Sequence, residues 1–143
     1  MKTGLKVRYT IHDILINIYK YNISIDDDKN KNLLINYSQR DKNFIINVCL
    51  TTMRYRFHIE NILKKYVKKN NKIHQKILLM SAVCQIIFLD FKIYAVIDCS
   101  VEISKKLKIF SGLINSVLKN ISKNKEKLKI DEIEYKDMPE WFK

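Results

Sequence analysis

Ile109-Phe110-Ser111-Gly112-Leu113-Ile114-Asn115-Ser116-Val117-Leu118-Lys119-Asn120-Ile121 is the stretch that decides the fold. Its apolar residues recur with the α-helical period, so Leu113, Ile114, Val117, Leu118 and Ile121 share one face of a helix. Gly112, one of only two glycines, stands at the start of that run, just after a Lys-rich turn. Asn115 lies beside the apolar face, where an internal hydrogen bond would fix the packing between helices.

The same period extends backwards through the chain. It predicts helices over residues 6–21, 40–69, 73–90, 95–107 and 111–124, with a short one around Leu33, Leu34 and Tyr37. In the first helix Val7, Ile11, Ile14, Leu15 and Ile18 turn inward, with Arg8 and His12 next to that stripe. Ser38 is the expected N-cap of the long helix, and Asp41 in its first turn suits the helix dipole. That helix should bury Phe44, Ile45, Val48, Tyr55, Ile59, Ile62 and Tyr66. The stretch from Ile77 to Leu89 is apolar nearly all round, as expected of a helix enclosed by others. Two glycines and one proline in 143 residues leave few turn formers for a many-stranded sheet. The fold class is all-α. A helical domain over 1–126 should be followed by an acidic linker over 127–143.

Lys and Arg number 27 against 15 Asp and Glu, a formal net charge of +12. Residues 131–143 hold five of the acids and two of the bases, so residues 1–130 carry 25 bases and 10 acids, a net of +15. Such a field attracts polyanions and speeds their encounter. The abundance of Lys, Asn and Ile also fits an AT-rich coding bias, which would leave much of the lysine as solvated surface.

Several chemistries are excluded. With glycines only at positions 4 and 112, no Gly-rich phosphate loop can be built. His12, His58 and His74 are scattered and no Cys-x-x-Cys occurs, so no metal site is expected. Cys49, Cys84 and Cys99 read as reduced core thiols of a cytosolic protein. No catalytic constellation is visible, and the chain is expected to be neither an enzyme nor a cofactor binder. The most apolar stretch contains Gln85 and is too short to span a bilayer. No membrane partner and a cytoplasmic location follow as expectations.

What remains is basic residues interleaved with aromatics. Lys6-Val7-Arg8-Tyr9 opens the first helix, and Met53-Arg54-Tyr55-Arg56-Phe57-His58 lies midway along the long one. Arginine's planar fork suits phosphate and stacks on bases. Lys6, Arg8, Arg54 and Arg56 are therefore the candidate RNA contacts, with Lys119 and Lys123 on the closing helix. The competing reading of the aromatics is boundary packing, with the arginines lying along it.

The order of these segments resembles the NusB-like all-helical RNA-binding fold, a compact bundle of about six to seven helices. The resemblance covers about Val7 to Ile121. It runs through Arg40-Asp41 to Met53-Arg54, the Leu78–Phe88 helix, Ala95 followed by Val101-Glu102 and Lys105, and Gly112, Asn115, Val117, Leu118 and Lys119. The chain departs from the family pattern at Thr51 (Gly), near Ile93 (Pro) and at Cys99 (Glu). The resemblance implies an RNA partner in one of two settings. One is the rRNA-recognition domain of a 16S rRNA cytosine-C5 methyltransferase. The other is a transcription antitermination factor that binds a leader RNA with a ribosomal protein. Gly112-Leu113-Ile114-Asn115-Ser116-Val117-Leu118-Lys119 and the Pro139-Glu140-Trp141 segment are similar to the methyltransferase branch. That branch would use S-adenosylmethionine only in a further, C-terminal catalytic domain.

Overall fold

The computed structural model describes residues 3–68 and 72–131, and these form a helical bundle. Its elements are α1 (Thr3–Tyr21), α2 (Asp28–Leu34), α3 (Gln39–Arg54), α4 (Arg56–Lys64), α5 (Ile73–Val83), α6 (Ile93–Lys106), α7 (Ser111–Lys123) and α8 (Lys125–Asp131). The described residues thus hold eight α-helices and no strand, an all-α fold. The expected acidic segment from residue 132, with Pro139 and Trp141, lies outside the described residues.

Local chemistry sets the helix starts. Asp41 N–H donates to Ser38 Oγ at 3.2 Å, which caps α3 where the sequence predicts. Lys29 N–H donates to Asp27 Oδ1 at 2.9 Å, so α2 begins within the acidic stretch, several residues earlier than its leucines suggest. The buried Asn30 holds α2 in place. It accepts from Asn17 Nδ2 at 2.8 Å and donates to the Ser24 carbonyl at 2.8 Å.

The single long helix expected over 40–69 is two helices. Tyr55 leaves helical geometry (φ −103°, ψ 22°), and its ring stacks on Phe88 with centroids 4.4 Å apart. The bend turns Ile59, Ile62 and Leu63 onto α5, and all three are buried. No glycine or proline marks this break, so the periodicity runs straight through it.

The helix expected over 73–90 also changes form. After α5 the backbone widens into a π-helical turn, Cys84–Phe88, in which Leu89 N–H donates to the Cys84 carbonyl at 3.1 Å. Every residue from Ile77 to Ile87 is buried, because α5 and this turn touch α1, α3, α4, α6, α7 and α8. In α7, Ile114, Val117, Leu118 and Ile121 are buried as their spacing requires, with Leu113 partly so.

The last described helix, α8, spans residue 126 and packs on the bundle. Leu128 of α8 is buried against the π-helical turn, and Lys125 and Lys129 both pair with Asp90, at 3.0 and 2.6 Å. Asp90 itself is left-handed (φ 54°), which lets the chain reverse before α6.

Two sequence expectations change with the packing. His12, expected beside the inward stripe of α1, is 1% exposed and part of the core. Asn115, expected to fix packing, makes no side-chain hydrogen bond among the described residues and is half-buried on the wall of a groove between α6 and α7. One step of about 100° from Ile114 takes it off the core face. Asn115→Ala should therefore change the urea midpoint little, within about 0.5 kcal/mol. A loss of 1 kcal/mol or more, of the order set by an orphaned buried partner, would restore the packing role.

Candidate nucleic-acid interface

The contacts between α1 and α3 fix their relative direction. The Arg8 guanidinium lies over the Phe44 ring at 5.5 Å, and farther along α1, just past the end of α3, the guanidinium of Arg56 at the start of α4 lies over Tyr19 at 4.8 Å. Low numbers meet low numbers, so α1 and α3 run parallel and bring their N-termini to one end of the bundle. The positive ends of two helix dipoles point the same way there.

At that end is an open cup of about 750 Å³, lined among others by Arg8, Arg40, Asp41, Asn43, Phe44 and Asn47. Arg8 is its organised cation. Its Nε donates to Gln85 Oε1 at 2.7 Å, and its Nη1 donates to the Gly4 carbonyl at 3.3 Å. Gln85 is buried in the π-helical turn and is held in turn by donating to the Ser81 carbonyl at 3.1 Å. Phe44, stacked on Phe91 at 5.2 Å, supplies the floor under the guanidinium plane. Two of the fork's donors are thus fixed, and Nη2 has no partner among the described residues.

No carboxylate lies within 4.0 Å of Arg8 among the described residues. Cys99 stands where the family pattern places Glu, and its Sγ is 3.9 Å from Arg8 Nη1. Among the described residues the guanidinium thus has no salt-bridge partner, and the nearest acid named in the cup's lining is Asp41. A guanidinium held in this way at the rim of the cup has the geometry to donate to a phosphate oxygen.

The other candidates fall elsewhere. Lys6 Nζ lies 5.3 Å from the centre of the Tyr37 ring, and Lys106 stands 5.8 Å from that of Tyr9, along the same helix as Arg8. Tyr37 is held by hydrogen bonding with Thr10 Oγ1 at 2.7 Å, so this second aromatic–cation cluster is also ordered. Burial, with Asp13 nearby, raises the Tyr9 hydroxyl above its ordinary value, and it stays protonated at neutral pH.

Arg54 is exposed at the far end of α3, ten residues beyond Phe44 and so about 15 Å from the cup. Its guanidinium lies 5.6 Å from the Tyr55 ring, the aromatic neighbour its sequence position suggests. Arg56 is bound to Glu60 at 2.7 Å, a carboxylate that Lys76 also approaches at 3.6 Å, so its Nε is already engaged within the fold. Lys119 and Lys123 line the α6–α7 groove. The six candidate cations lie in three regions of the bundle: Lys6 and Arg8 on α1, Arg54 and Arg56 at the α3–α4 junction, and Lys119 and Lys123 on α7.

The close pair His12–His74 is what sequence reasoning missed. His12 Nε2 and His74 Nδ1 are 3.0 Å apart although the residues are 62 apart in sequence, and only the packing of α1 on α5 brings them together. Burial, then the neighbouring His74, depresses His12 to about 3, so both rings are neutral at physiological pH. Burial also raises the thiols of Cys49 and Cys84, the latter to about 12, which makes both inert core thiols, whereas Cys99 is half-buried. Among the described residues no group of three or more His, Cys, Asp or Glu could hold a metal ion. None of their helices is long and apolar enough to cross a membrane.

The described residues thus form an all-helical bundle with an arginine-bearing, aromatic-floored cup at the N-terminal ends of α1 and α3. Residues 6–123 match the NusB family, and the chain belongs to that family. Comparison with curated proteins and with solved structures gave no match. NusB-family membership supports RNA as the partner.

Proposed function

We propose that this chain is an RNA-recognition module that grips the phosphate backbone with the Arg8 cup, and that it serves as the rRNA-binding domain of a cytosine-C5 methyltransferase. The observation that carries the RNA reading is Arg8 itself, held by a buried glutamine and without a salt bridge among the described residues. A cation that was only solvated surface would need no such support. The lysines Lys6 and Lys106, standing over Tyr37 and Tyr9, extend the same surface along α1.

The methyltransferase reading is supported by the wording of the α7 motif and by the Tyr135–Phe142 segment. S-adenosylmethionine and the methyl transfer would belong to a separate catalytic domain, since this chain has no glycine-rich loop to hold the cofactor. An antitermination factor is the competing assignment. A reading frame that continues past Lys143 into a Pro-Cys motif supports the methyltransferase reading, and a stop codon there overturns it.

The RNA reading has its own test. Affinity for a structured rRNA fragment should fall linearly in log–log form as salt rises, by about 0.7–0.9 per phosphate contacted. Binding that is undetectable at low ionic strength, or insensitive to salt, would refute it.

A further inference from the structure

A second surface lies between α6 and α7. It is a groove of about 1300 Å³ whose wall includes Tyr94, Ile97 and Val101. Lys92, Lys105, Lys119 and Lys123 stand around it, with Asp98 the only acid in its lining among the described residues. Tyr94 is 72% exposed, exceeded among the exposed large apolar side chains of the described residues only by Phe110. An apolar trough edged by lysines fits an acidic peptide that carries large apolar side chains, better than it fits a bare phosphate backbone.

The chain carries such a segment. Residues 132–143 read Glu-Ile-Glu-Tyr-Lys-Asp-Met-Pro-Glu-Trp-Phe-Lys, four acids against two bases with Ile133, Tyr135, Met138, Trp141 and Phe142 between them. It starts from the right place. α8 is tied through Lys125 and Lys129 to Asp90, four residues before Tyr94 at the start of α6. Twelve residues can span at most about 40 Å. α6, with 14 residues, is about 21 Å long.

We infer that residues 132–143 dock in the α6–α7 groove of their own chain, with Trp141 and Phe142 against Tyr94 and Ile97 and the acids facing Lys119 and Lys123. Docked there, the segment covers two of the lysines that the sequence assigns to RNA and leaves the Arg8 cup open. The groove thereby becomes a site of self-recognition distinct from the RNA surface. This inference does not rest on the RNA reading.

Trp141 is the only tryptophan, so its emission reports on the segment without a label. In the full chain at low salt its emission should be blue-shifted, and acrylamide should quench it severalfold less than in urea. The exposed pair Lys119→Glu and Lys123→Glu should shift the emission to that of a solvated indole while far-UV circular dichroism stays unchanged. Adding Glu134→Lys and Glu140→Lys to that variant should restore the shielding, because the charges are again complementary. Tyr94→Ala should expose the indole without altering any charge.

A solvated indole in the unaltered chain would overturn the inference. So would shielding that ignores both sets of groove substitutions, which would put the segment elsewhere. Shielding that appears only as protein concentration rises would assign the groove to the segment of a second copy and likewise overturn docking within one chain.

Discussion

Arg8→Lys should weaken binding to structured RNA by about tenfold, with no change in net charge and no loss of helix content. Lysine keeps the charge but replaces a planar fork by a point donor. It cannot both hold Gln85 through Nε and present a second nitrogen to phosphate, which is the arrangement at Arg8. A charge-assisted hydrogen bond is worth about 1.5–3 kcal/mol, enough for the expected loss. Arg54→Lys should have little effect, because its guanidinium is exposed and its only described contact is the Tyr55 ring. Arg56→Lys should act mainly on stability, through its pairing with Glu60. Filter-binding or fluorescence titration at one fixed salt concentration checks all three. Equal, small effects would mean that the chain attracts RNA only as a diffuse cation and that the cup is not its site.

The second large effect is on stability in acid. His12 is neutral in the fold down to about pH 3, whereas an unfolded chain protonates it below about 6.5. Between those values the unfolded state binds more protons, so stability falls as pH falls through the window. Each unit of difference is worth about 1.4 kcal/mol, so the full contribution is several kcal/mol. Asp13 acts in the opposite sense. Burial raises its carboxyl to about 6 from an ordinary 3.8, so it takes up a proton first in the folded state and adds stability as pH drops through that range. Its shift is smaller and its side chain only partly buried, so His12 decides the sign. Urea midpoints should decline from pH 7 to pH 4, and His12→Phe should flatten that decline. An equally steep decline in the variant would place the acid sensitivity on the carboxylates instead, with Asp90 and its two lysines the first to examine.

The α7 period, the Ser38 cap and the enclosed Ile77–Leu89 stretch were legible because each depends on residues close together in sequence. Spacing along a helix reports burial directly, and a capping hydroxyl bonds an amide three residues away. The break at Tyr55 was not legible, because no backbone-breaking residue marks it. It follows from where Phe88 stands across the bundle. Arg8 was marked by the aromatics around it in sequence, yet its supports are Gln85, 77 residues on, and Phe44, 36 residues on.

By itself, then, the sequence determined the all-helical class, the inward faces, the family resemblance and the excess of positive charge. Those properties are sums or short-range periods, and no knowledge of packing is needed to read them. Tertiary structure alone decided which cations share a surface and which are already paired. It separated Arg8 from Arg54 by the length of α3, paired Lys129 with Asp90, and joined His12 to His74. The physical reason is that hydrogen bonds and ion pairs act over about 3 Å, a proximity that helix packing creates between residues far apart in the chain.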